Sequence, residues 1–84
     1  MSEHKLNSSG NFDLRFYYIK VLNRVIRKQL RTELLNTLGW KPSSFNVYLM
    51  RGISTSSPYI PVIIQTVEKY IEKEKEYISK LNNN

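Results

Sequence analysis

From Phe12 to Leu38 the apolar residues fall three or four positions apart. Phe12, Phe16, Ile19, Leu22, Val25 and Ile26 make one run, and Leu30, Leu34, Leu35 and Leu38 continue it. That spacing puts them on one face of an α-helix. Asn11 is the expected N-cap, with Asp13 favourably placed near the positive end of the helix dipole. The apolar face is interrupted over 27–31, so a break is expected there. No proline or glycine forces the break, and one continuous helix over 12–38 is the alternative.

Gly39 then ends the helical pattern by supplying a turn conformation at little steric cost. Lys41 is held extended by the following Pro42, and Pro42 suits a first helical turn. A short helix is expected from about Pro42 to Met50, carrying Phe45, Tyr48 and Leu49 inward. Arg51 and Gly52 stop it, and residues 53–58 read as a loop. Ser57 and Pro58 resemble an N-cap and first-turn proline, although Pro61 can delay the start by a turn. The last helix is expected to reach about Leu81. Its apolar positions are Ile60, Ile64, Val67, Ile71, Ile78 and Leu81, with Glu74 as the interruption. From Glu72 onward this helix is charged and outruns what so small a domain can cover. Either it is a solvated end supported by pairs such as Glu76 with Lys80, or Ile71, Ile78 and Leu81 contact a second copy.

These elements predict an all-α fold, a small helical bundle of four to five helices. With 84 residues there is material for one domain, expected over 11–81, behind a disordered polar leader (1–10) and before a frayed tail (82–84). A hydrophobic content of 40% is that of a globular chain. The absence of cysteine excludes a disulfide framework and a thiolate metal site. No apolar run approaches the roughly 20 residues of a membrane span. The leader lacks the apolar centre of a signal peptide, so a cytoplasmic location is expected.

Charge changes the picture more. Residues 1–52 carry nine Lys and Arg against three acids, whereas 53–84 carry four lysines against four glutamates. The whole excess of +6 therefore accompanies the short helix. It implies a polyanionic partner, most simply nucleic acid. Lys20, Arg24, Arg27 and Arg31, spaced four, three and four, are expected to form one stripe with Lys28 beside it. Such a stripe suits phosphate contacts, an anionic membrane surface or plain solvation; the nucleic-acid reading is preferred, and no membrane partner is expected. Catalysis has little to stand on. His4 is the sole histidine, Asp13 and Glu33 are the only acids between residues 4 and 67, and no glycine-rich phosphate loop exists. No enzyme activity, cofactor, metal or small-molecule substrate is expected.

Residues 31–50 resemble the helix-turn-helix of phage repressor and Cro-type DNA-binding proteins. The resemblance rests on Leu38, Gly39, Trp40, Phe45 and Leu49: an apolar residue, a turn glycine, a second apolar residue, and a following helix with apolar residues facing back. It extends through the loop and Ile60 to about residue 71, and is shared with small helix-turn-helix proteins of bacterial mobile elements and phages. Leu35 stands where that pattern usually carries a small residue. The resemblance implies sequence-specific binding of double-stranded DNA by a small transcriptional regulator, with a homodimer as one arrangement. Ser43, Ser44, Asn46 and Val47 would face base edges in the major groove. Lys20, Arg24, Arg27, Lys28, Arg31, Lys41 and Arg51 would meet phosphates. On the plainer reading Ser43 and Ser44 only cap the helix and Asn46 is solvated. The rival function is a protein-interaction module, antitoxin-like or a phage-encoded inhibitor, whose basic surface docks an acidic partner.

Overall fold

The computed structural model describes residues 5–82. Among them four helices form and no strand does: α1 (Leu14–Tyr18), α2 (Arg24–Leu38), α3 (Pro42–Arg51) and α4 (Ile60–Asn82). The fold is a small all-α bundle, as the periodicity predicts. Residues 1–4 and 83–84, parts of the expected leader and tail, lie outside the described residues.

The break between the first two helices falls at 19–23, earlier than the expected 27–31. Asn23 is the cause. Its side-chain oxygen accepts from the N–H groups of Val25 and Ile26, at 2.9 and 3.1 Å, and so starts α2. The break re-phases the helix, and the supposed single apolar face dissolves. Phe16, Ile19, Leu22 and Val25 are exposed, while Leu14 and Val21 are buried beside Phe12 and Ile26. Asp13, not Asn11, caps α1 by accepting from the Phe16 N–H.

Residues 5–10 are not the disordered leader expected of them. Leu6 bridges Phe12, and Phe12 bridges Ile53 through a reciprocal backbone pair of 2.7 and 3.0 Å. The Asn7 and Asn11 side-chain amides both donate to the Arg51 carbonyl, at 2.9 and 3.1 Å. The C-terminus of α3 is thereby capped by a segment some 40 residues away in sequence. Gly52 makes this approach feasible: at φ +80° a Cβ there would stand 2.6 Å from both the Phe12 carbonyl oxygen and the Asn7 amide.

α4 is the spine, 23 residues long and so about 35 Å. Its buried stripe is Ile60, Ile63, Thr66, Val67, Tyr70 and Glu74, with Ile64 and Ile71 only partly covered at its edge. Glu74 therefore belongs to the buried face and does not interrupt it. α2 lies along α4, tied to it by Glu33, whose carboxylate accepts from the Lys69 ammonium at 2.9 Å and the Tyr70 hydroxyl at 2.7 Å. α3 rests on α1 through Phe45, whose ring meets Tyr18 edge-on at 5.3 Å.

Candidate nucleic-acid interface

α3 starts where the chain chemistry says it should. Gly39 adopts the left-handed conformation and closes α2 with its N–H on the Leu35 carbonyl. Lys41 is extended, Pro42 opens the helix, and no side chain caps it. Phe45 is fully buried, and Tyr48 and Leu49 are half-buried behind it. Trp40 packs on Tyr48 at 4.5 Å and on Phe45 at 6.4 Å, which makes it part of this support. The opposite side of α3 faces solvent with Ser43, Asn46, Val47 and Met50, while Ser44 is half-buried. Met50 is 85% exposed and was not anticipated as part of this face.

The predicted basic stripe divides. Lys20 lies in the turn after α1, so the four-residue spacing to Arg24 has no helical meaning. Its ammonium sits over the rings of Phe16 and Tyr17, at 4.7 and 5.1 Å. Lys28 turns toward α4 and lines a hollow with Glu33 and Tyr70. Arg24 is exposed at the first position of α2. Only Arg27 and Arg31 come to α3's side, Arg27 5.7 Å from the Tyr18 ring centre and Arg31 5.3 Å from that of Phe45. Lys41 and Arg51 are exposed at the two ends of α3.

A groove of about 640 Å³ runs between α1 and α3, lined among others by Arg15, Tyr18, Ile19, Asn46 and Met50. Arg15 and Tyr18 were missed in the sequence because their helix is a five-residue element whose phase depends on the Asn23 break. Their three-residue spacing is the only local signal. Burial pushes the Tyr18 phenol's pKa up, and the nearby charges of Arg27 and Arg31 pull against that.

The acids leave this side positive. Asp13 lines the groove, but its carboxylate is engaged with the Phe16 N–H. Glu33 is on the α4 side, its carboxyl held below the usual range first by the hydrogen bond from Lys69 and then by that from Tyr70. Tyr70 is pushed up to about 12, by burial first and by Glu33 second. No cluster of His, Cys, Asp and Glu able to hold a metal is present among the described residues. No helix among them is long and apolar enough to cross a membrane.

Of the three residues suggested as a dimer contact, Ile71 packs against the core, while Ile78 and Leu81 are exposed. Compared with known proteins, the chain matches no family model, and no curated protein or solved structure matches it significantly.

Proposed function

We propose that this chain binds double-stranded DNA, with α2, the turn at Gly39 and α3 acting as a helix-turn-helix and α3 lying in the major groove. The observation that carries the reading is the exposed side of α3. Ser43, Asn46, Val47 and Met50 face solvent together, with Lys41 and Arg51 exposed at the two ends of the helix. Arg15 is on the groove that Asn46 and Met50 line, and Arg27 and Arg31 lie against the Tyr18 and Phe45 rings that support α3. Asn46 has the amide geometry to pair with adenine, serine bonds to several base edges, and Val47 and Met50 offer apolar contact for a thymine methyl. The cations supply the salt-sensitive, sequence-independent part of the affinity. The biological role is that of a small transcriptional regulator, in line with the resemblance to phage repressors. A second copy would meet the chain at the far end of α4, through Ile78 and Leu81.

One observation favours a second reading. Met50, Val47 and Ile19 expose apolar surface around Asn46, as a docking face for an acidic protein also would. Fluorescence anisotropy against random duplex DNA at about 50 and about 200 mM salt separates the two. Tight binding that weakens steeply with salt supports the DNA reading. A folded protein that binds no duplex at low salt rejects it and leaves the protein partner.

A further inference from the structure

Two arginines, Arg27 and Arg31, stand by the Tyr18 phenol without an ion-pair partner. Arg27 is half-buried and held in place, its Nε donating to the Val21 carbonyl at 2.7 Å and its guanidinium lying against the Tyr18 ring. Arg31 lies over Phe45, the ring that Tyr18 meets edge-on. The charges of both reach the Tyr18 phenol. Arg15 lines the groove that Tyr18 shares with Asn46. The ion pairs among the described residues are Lys69 with Glu33 and Lys75 with Glu72, so neither Arg27 nor Arg31 is ion-paired. Asp13, the one acid at this groove, is engaged as the cap of α1.

Guanidinium groups fixed by their own packing lose little freedom on binding and present planar forks of donors that match phosphate oxygens. A neutral hydroxyl between them adds a directed donor without adding charge. We infer that Tyr18, Arg27 and Arg31 form a phosphate-binding site, filled by one backbone phosphate of the strand that runs past Asn46 and Arg15 along the groove Tyr18 lines. The identity of the occupant rests on the DNA reading above; the oxyanion chemistry does not. Tyr18 is thus a positioning contact that orients a strand for α3, from a helix outside the helix-turn-helix.

The test has two arms. In the first, the protein is titrated with inorganic phosphate at constant ionic strength while the arginine Nε–H resonances are followed by NMR. Saturable shifts of Arg27 and Arg31, absent with chloride and lost in Tyr18→Phe, are expected. In the second, a duplex selected by the native protein is bound by variants. Tyr18→Phe keeps the ring packing and is expected to weaken binding about tenfold with an unchanged salt slope, because the lost donor is uncharged. Arg31→Gln is expected to weaken binding and lower the slope by about one. A single neutral methylphosphonate at the contacted position should weaken binding at least as much as Arg31→Gln, lower the slope by about one, and make Tyr18→Phe nearly harmless.

Native affinity and slope in both variants overturns the site while leaving DNA binding by α3 intact. Saturable phosphate shifts without any duplex binding uphold the site with free phosphate as its ligand and reject the DNA reading. Neither phosphate shifts nor duplex binding rejects both.

Discussion

The buried carboxylate of Glu74, on α4, accepts the backbone N–H of Asn23, the residue whose own side chain caps α2. The contact joins residues 51 positions apart. It places a negative charge at the positive end of the α2 dipole, and among the described residues no buried side-chain nitrogen or oxygen lacks a partner. Replacing Glu74 with Leu would strand the Asn23 N–H and is expected to cost about 1–3 kcal/mol. Glu74→Gln keeps an acceptor and should lose less. Urea unfolding of the three proteins checks the order, and a Leu variant as stable as the native chain would remove Glu74 from this role.

Stability should fall in strong alkali for a specific reason. The Tyr70 phenol is raised from 10.0 to about 12, so folding favours its protonated form. That contribution is complete below the unfolded value of 10.0 and disappears as pH rises toward 12. Glu33 has the opposite sign. Its folded pKa is lowered from 4.5, so its contribution is present above 4.5 and is lost as pH falls through the folded value. Tyr70→Phe should flatten the alkaline decline and weaken the acid dependence together, because Tyr70 also donates to Glu33. Unfolding midpoints measured across both pH ranges would reveal it; an unchanged profile would contradict the coupling.

Two glycines with positive φ should respond differently to alanine. Gly39, at φ +68°, has nothing within 4 Å of where a Cβ would stand. Gly39→Ala is therefore expected to cost only the backbone term, about 1 kcal/mol. At Gly52 the same strain is joined by contacts at 2.6 Å with backbone and side chain. Gly52→Ala should cost about 2–3 kcal/mol and loosen the 5–12 segment from α3. Thermal unfolding with amide exchange at Phe12 and Ile53 tests this; equal losses at the two glycines would count against the strap.

Base reading and phosphate contact should separate by residue. Asn46→Ala is expected to change the preferred duplex with little change in salt slope. Lys41→Ala should weaken all sequences alike and lower the slope by about one. Lys28, turned toward α4, should be nearly silent when changed to Ala. Binding to selected and random duplexes at several salt concentrations measures all three, and a large uniform loss for Lys28→Ala would mean that the DNA crosses a different face.

The far end of α4 offers a separate test. Beyond Glu74 the helix has passed the start of α2, and Tyr77, Ile78 and Leu81 stand exposed, with Leu22 and Val25 at 74% and 66% exposure on α2's side. If copies pair there, Leu81→Glu should shift the native chain from dimer to monomer in sedimentation without altering helicity. A native chain that sediments as a monomer at all concentrations would exclude the pairing.

How far the chain could be read without its structure depended on how local each determinant is. The end of α2, the turn and the start of α3 follow from Gly39, Lys41 and Pro42, whose backbone preferences act within one or two residues. The sequence accordingly determined an all-α chain, a short helix from Pro42, and its inward residues Phe45, Tyr48 and Leu49. The α1–α2 break was misplaced because apolar spacing is compatible with one helix or two. What decides is Asn23 capping α2 while α4 supplies Glu74 to its N–H. Asn7 looked like a leader residue and Asn11 like a helix cap because their partner, the Arg51 carbonyl, is distant in sequence. The basic stripe failed for the same reason: once the break removes Lys20 from α2, tertiary packing sends Arg27 and Arg31 to α3's side and Lys28 to the other. Local backbone chemistry determined where α3 begins, and only long-range contacts decided which charges stand beside it.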